Sequence, residues 1–234
     1  MFRIYFNEER RQDSGVLADA NASLKRYEQV LEKIENRSGE ADSRLRCLQV
    51  WAKGFTRSLD ELEQSLYCSR KYSELVSHEF IEEMEEEELD NYHRHVYFYK
   101  NALIRLFSIL DKMGSFLDDL LKLETGKVMP RFSYFTVLRQ MHEREIASEL
   151  EQKLFDLKNS CKGPLNRLRQ QRNTEIHAMN EELVDDVWNA KESPEAQSPV
   201  ENIQDNLKDM EQGFEMVCLT VSTVFESLAS SQKG

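Results

Sequence analysis

From Tyr92 to Leu120, the apolar positions Tyr92, Val96, Tyr99, Leu103, Leu106, Leu110, Met113, Leu117 and Leu120 step alternately by four and three. That is the period of one helix face, held over about eight turns, and it excludes the two-residue alternation of a strand. Phe98, Ala102, Phe107 and Leu121 widen the stripe. A helix apolar over so broad an arc must lie centrally, with neighbours on more than one side. The 234-residue chain is long enough to supply them.

The neighbours are legible as further stripes. Leu24, Tyr27, Leu31 and Ile34 mark a helix that ends near "RSGE", where Gly39 supplies a break. Leu45, Leu48, Ala52, Phe55, Leu59, Leu62 and Leu66 mark a second. After the break "ETGKVMPRFS", Ser133 is placed to cap a helix carrying Leu138, Met141, Ile146, Leu150, Leu154 and Leu157. "SCKGPLN" breaks the chain again, and Pro164 suits the first turn of the next helix. "NEELVDDVW" and the linker "KESPEAQSP" follow. In "SPVE", Ser198, Pro199 and Glu201 form a capping box for a last helix with the stripe Ile203, Leu207, Met210, Phe214, Val217, Val221, Val224 and Leu228. At the other end, "MFRIYF" alternates like a short strand or extended arm.

With only 8 Gly and 4 Pro, the chain lacks the turn residues of layered sheets. The expectation is an all-α, up-and-down bundle of about five to seven helices. Residues 1–39 form an N-terminal arm and helix, residues 40–230 the bundle, and the whole is a single domain.

Several chemistries are unsupported. No apolar run approaches the roughly 18–20 residues of a membrane span, and the polar N-terminus does not read as a secretory signal. Cys47, Cys68, Cys161 and Cys218 stand apart with no C-x-x-C pair, which reads as free thiols in a reducing cytoplasm. The acidic run Glu82–Asp90 lacks the pattern of a calcium loop and suits a helix start. No Glu-x-x-His precedes any of the 5 histidines, so a di-metal carboxylate bundle is excluded. His93 and His95, two apart, point about 200° away from each other on a helix and do not share an ion. With no Gly-rich phosphate loop and no zinc cluster either, no metal and no cofactor is expected.

The net charge of −12 conceals an island. Residues 126–172 carry ten Lys or Arg against five acids, and no acid lies between Lys158 and Arg172. Local potential, not the average, attracts a phosphate backbone, although a basic stretch is equally a solvated face. At its end stands Arg172-Asn173-Thr174-Glu175-Ile176-His177. From 17 Arg, 5 His and 12 Asn, chance supplies Arg followed five later by His about 0.4 times, and Arg-Asn with that His about 0.02 times. The Asn therefore carries most of the information.

This R-N-x-x-x-H motif, late in a helical bundle, resembles the HEPN superfamily (higher eukaryotes and prokaryotes nucleotide-binding domains), as does the central "FYKNALIRLFSILDKMGSFLDDLL". The resemblance covers about residues 40–230. It implies a metal-independent, cofactor-free endoribonuclease of the bacterial toxin or antiphage-effector kind, with RNA as substrate and a cognate antitoxin as a further partner. In that role Arg172 binds phosphate, His177 is general acid or base, and Asn173 orients the Arg or the substrate. Arg167, Arg169, Lys162 and Lys158 hold the RNA backbone.

Five residues turn a helix by 500°, which leaves Arg172 and His177 about 140° apart. The resemblance therefore also implies a homodimer in which two motifs complete one cleft. Tyr99, Lys100, Arg105, Asp111 and Lys112 are candidate supporting or surface groups, and Glu175 is placed to pair with either motif residue. The alternative is a non-catalytic helical module that binds RNA, or binds protein through the Ile203–Leu228 stripe or the acidic run.

Overall fold

The computed structural model describes residues 2–38, 42–177, 199–200 and 202–231. The side chains of Ser38, Ile176 and His177 lie outside that description, as do "NEELVDDVW", most of the linker after it, Gly39, Ser198 and Glu201. Eight α-helices occur among the described residues: α1 Gly15–Ser38, α2 Ser43–Ser73, α3 Glu86–Leu121, α4 Thr125–Val128, α5 Tyr134–Glu143, α6 Ser148–Ser160, α7 Lys162–His177 and α8 Ile203–Ser231. The chain is an all-α bundle.

The long stripe forms α3, and α3 is central: it packs against α2, α5, α7 and α8. Its Tyr92, Val96, Tyr99, Leu103, Leu106, Leu110, Met113 and Leu117 are buried. Aromatic rings knot the helices at one level. Phe116 of α3 stacks on Phe225 of α8 at 5.4 Å, and Phe55 of α2 meets both, at 6.0 and 5.5 Å. Tyr27 joins α1 to the same knot, 5.3 Å from Phe225. Each such pair adds about 0.5–1.5 kcal/mol beyond the area it buries. Leu17, Ala20, Leu24 and Leu31 of α1 are buried in the same core, so the N-terminal helix is one of its walls.

Four sequence expectations are corrected at the ends and breaks. Phe2–Phe6 is a 3-10 turn, not a strand: Arg3 pairs with Glu63 and stacks over the Tyr67 ring, and these contacts to α2 decide the local form. The acidic run is divided: Glu82 and Glu83 lie in a separate 3-10 turn, and α3 opens at Glu86. Its Glu88 accepts from the backbone N–H of His78 at 2.9 Å and from that of Ser77, tying the preceding loop to the helix. The expected helix beyond Ser133 is two. Ser133 and Thr136 form a capping box for α5, but the chain turns at Glu145 and Ala147, both with left-handed φ, before α6. Arg144 donates to the Leu123 carbonyl at 2.7 Å within this turn. The split lets α5 pack on α3 and α6 on α8, which a continuous rod would not do.

The last helix does not open at Pro199, as "SPVE" suggests; Ser198 and Glu201 themselves lie outside the described residues. Pro199 pairs with Phe80 in an isolated bridge, and the Val200 N–H donates to the Glu79 carbonyl at 2.8 Å. The last helix begins four residues after Pro199, and Asn202 takes over as cap, its Oδ1 accepting from the Asp205 N–H at 3.1 Å.

The two histidines of "HRH" part as their spacing requires. His93 is exposed, whereas His95 is buried between α3 and α2, its Nδ1 donating to the Ser69 carbonyl at 2.9 Å. All four cysteines are free, with Cys47 exposed and the others buried; burial pushes the Cys218 thiol up to about 12. No described helix is long and apolar enough to cross a membrane.

Two tests follow from the packing. A Cβ on Gly114 of α3 would stand 2.9 Å from the Tyr134 Cα, at the start of α5, whereas one on Gly54 of α2 would meet nothing within 4 Å. Gly114→Ala is expected to cost about 1–3 kcal/mol and Gly54→Ala to gain about 0.5–1 kcal/mol, both read by urea unfolding. Burial also lowers the His95 pKa below its ordinary 6.5. The unfolded chain therefore binds the proton more readily, so His95 favours the folded state above about pH 6.5 and opposes it as pH falls below that value. His95→Asn should flatten the acid limb of a melting-temperature profile between about pH 7 and 5; an unchanged limb rejects this account.

Candidate functional site

α7 is short on apolar residues, and the ones it has decide how it sits. Leu165 and Leu168, three apart, are buried against the bundle, where α7 meets α8 and α3. Gly213 of α8 permits that approach: a Cβ there would lie 2.6 Å from Leu106 and 2.9 Å from Leu168 side-chain carbons. The remaining faces of α7 are thereby assigned, and its charges part company.

Arg167 points to α8. Its guanidinium donates twice to Asp209, at 2.6 and 2.7 Å, and Asp209 is buried. This is a bidentate pair that commits two of its donors. Arg167 does not join the other three basic residues grouped with it from the sequence. Arg169, two residues on and about 200° round the helix, lies over the Phe135 ring of α5, 4.1 Å from its centroid.

Lys158, Lys162 and Arg169 do come together. With Arg139 of α5 they line a groove of ≈ 460 Å³ between α5, α6 and α7, floored in part by Leu165 and Phe135. Among the described residues none of these four cations forms an ion pair within 4.0 Å. Burial holds the Lys158 ammonium below its usual pKa, and the charges of Arg169, Arg139 and Lys162 push it the same way. Burial likewise lowers Arg169, with Arg172 adding to the effect. Glu151 is the carboxylate in the lining, and it is buried beside the His142 ring, 3.4 Å from Nδ1. The groove thus gathers positive charge with little internal compensation. Sequence reasoning singled out Lys158, Lys162 and Arg169 through the acid-free stretch; Arg139, counted only within the wider basic segment, and His142, which was missed, come from α5, against which the bend lays α6.

One turn beyond Arg169 stands Arg172. Its guanidinium lies 5.8 Å from the Phe107 ring centroid and 4.0 Å from the Asp111 carboxylate, both on α3. Nη1 donates to Asn173 Oδ1 at 3.3 Å. Its side chain is 31% exposed, and no carboxylate chelates it as Asp209 chelates Arg167. Asp111 is itself held above the usual carboxylate range by burial, against the opposing pull of the Tyr134 N–H, Arg172 and Arg169. Asn173 is exposed. His177 is the last residue of α7, one and a half turns on, and the placement of its side chain lies outside the described residues.

The residues between and beside the motif hold the helix end in place. Tyr99 donates to Gln171 Oε1 at 2.6 Å, and Gln171 donates onward to Asn206 Oδ1 at 2.7 Å, joining α3, α7 and α8. Glu175 pairs with Lys100 of α3 at 3.2 Å, not with Arg172. Of the five α3 residues singled out in the sequence, Tyr99, Lys100 and Asp111 face α7, while Arg105 and Lys112 turn to α2, where they meet Glu61 and Ser58. Among the described residues no three His, Cys, Asp or Glu side chains converge as a metal site would need.

No curated protein and no solved structure matches the chain. A protein-family comparison does find a match: residues 51–229 fit the Cthe2314-like HEPN family. That span takes in α2 from its third turn through nearly all of α8, and so the central helix, the basic groove and the whole R-N-x-x-x-H motif. With three quarters of its length accounted for in this way, the chain belongs to the Cthe2314-like HEPN family.

Proposed function

We propose that this protein is a metal-independent endoribonuclease with Arg172, Asn173 and His177 as its working residues. The observation that carries the reading is the contrast within α7. Arg167 gives Nε and Nη2 to Asp209, whereas Arg172 of the motif rests 4.0 Å from Asp111 with no carboxylate gripping it twice, next to a groove of cations that form no ion pair among the described residues. An arginine held on a ring and one distant carboxylate keeps donors for an incoming phosphate.

The chemistry requires only RNA. The ribose 2′-oxygen bonds to the adjacent phosphorus, the bond from phosphorus to the 5′-oxygen breaks, and a 2′,3′-cyclic phosphate and a 5′-hydroxyl result. His177 takes the 2′-hydroxyl proton or delivers one to the leaving oxygen. Arg172 neutralises the charge that grows on the phosphoryl oxygens, and Asn173, which accepts from Arg172, orients it. Two copies of the chain with their motifs across one cleft would supply both proton-transfer roles. Lys158, Lys162 and Arg169 bind the RNA backbone, and Arg167 contributes by clamping α7 to α8.

Burial within the chain weighs against the alternative of a protein-interaction module through the last helix. Leu207, Met210, Val217, Val221 and Val224 of that stripe are buried in the core of this same chain.

Cleavage of total RNA by the purified protein in EDTA is the test. Arg172→Ala and His177→Ala should each slow cleavage by on the order of 10²- to 10⁴-fold, with helicity unchanged and the wild-type product ending in a 2′,3′-cyclic phosphate. Undiminished cleavage in either variant removes that residue from the site. A wild-type protein that binds RNA and cuts none is a binding module.

A further inference from the structure

The groove between α5, α6 and α7 carries more than charge. At its edge stands Phe155 of α6, a large apolar side chain that lines the groove while 40% exposed. The His142 ring of α5 lies nearly parallel to it, at an interplanar angle of 14° with centroids 6.4 Å apart. Lys158 sits one turn along α6, its Nζ 5.2 Å from the Phe155 centroid. Two flat, accessible rings thus border a pocket whose other wall is cationic.

The opposite wall is a polar line along α7. Lys162, Asn166 and Arg169 line the groove at steps of four and three, and Asn173 continues the same face by another four. The line rises about 16 Å along the helix and ends at Arg172 and Asn173. Cationic side chains and two rings therefore line one groove, and Asn173 of the motif continues the α7 face that forms its wall.

We propose that this groove is the path of a single strand of RNA, with a base stacked on Phe155, phosphates on Arg139, Lys158, Lys162 and Arg169, and the strand led along α7 to Arg172. The inference deepens the RNA reading given above and rests on it. A single strand is specified because a ring platform in a cleft meets the face of a base only when that base is unstacked from its neighbours. In a duplex the bases remain stacked on one another, and Phe155 would face only the backbone. The groove's cations, which form no ion pair among the described residues, supply the second half of the recognition, since each phosphate they neutralise releases condensed counterions.

The test is fluorescence anisotropy with a labelled 2′-O-methyl oligoribonucleotide of about twelve nucleotides, which the enzyme chemistry cannot cut. Binding to the full-length protein is measured across a salt series. Wild type should prefer this strand over its duplex by about tenfold or more. Phe155→Ala should weaken binding by about tenfold with the salt slope unchanged, and Phe155→Trp should restore it. Lys158→Gln and Lys162→Gln should each reduce the slope of log K against log salt by about 0.7. Equal affinity for strand and duplex, or wild-type slopes in both lysine variants, overturns the inference.

The two readings fail separately. If cleavage depends on Arg172 while the groove variants bind normally, the track is wrong and the nuclease stands. If binding depends on the groove in a protein that cuts nothing, the track stands and the nuclease falls.

Discussion

Everything in this bundle hangs on the close approach of its neighbours to the central helix α3. The contact of Gly114 with the Tyr134 backbone and the stack of Phe116 on Phe225 set how near α5 and α8 come to it. Interiors are packed tightly enough that such distances propagate. Because α8 is fixed by the aromatic knot, Gly213 on α8 is fixed, and the small gap it leaves receives Leu106 and Leu168. Leu168 in turn fixes the rotation of α7. The exposed charges of α7 then fall where helix geometry sends them. The candidate site is in this sense a consequence of core packing several elements away.

The same rotation sorts the basic residues by energy. Arg167 meets a buried carboxylate, so its two hydrogen bonds offset the desolvation of Asp209 and hold α7 to α8. Lys158, Lys162, Arg139 and Arg169 line one groove, and burial, reinforced by the charges of the other three, lowers the pKa of Lys158. Such a cluster works against folding, because like charges in a partly desolvated groove repel. A chain that keeps it while placing acids densely elsewhere, as at Glu85–Glu88, has not simply distributed charge for solubility.

The long stripes were readable because apolar periodicity and burial are the same fact seen twice. The positions from Tyr92 to Leu117 that keep the 4-3 step are all inside. The short-range decisions were less readable. The stripe from Leu138 onward looks like one helix until its step from Met141 to Ile146 is noticed: five residues, an offset of about 140° that a single face cannot absorb. That irregular step was the signal for the bend at Glu145 and Ala147, where no glycine or proline announces it. "SPVE" misled for the converse reason. Its local chemistry suits a cap, yet the backbone pairing of Val200 with Glu79 claims the segment first. As for the site, the motif and three of its basic companions were visible as sequence, whereas the distinction between Arg167 and Arg169 depends on Asp209, forty-two residues away.

The geometry of Arg172 bears directly on how a motif with a five-residue spacing can act. Its side chain is drawn toward α3, by the Phe107 ring and Asp111, and away from a straight projection off α7. The Lys100–Glu175 pair and the Tyr99–Gln171–Asn206 chain stop α7 from rotating to bring position 177 onto that same side. Rotating the helix would break those bonds and lift Leu168 from its seat beside Gly213. Within one chain, then, the direction of the arginine is fixed toward α3, and the backbone of residue 177 emerges about 140° round the helix from that of Arg172. The two meet on one phosphate only if the side chains bridge that arc or a second chain supplies the complement. The rigidity that makes α7 a good platform is what places the burden of completing the site on reach or on a partner copy.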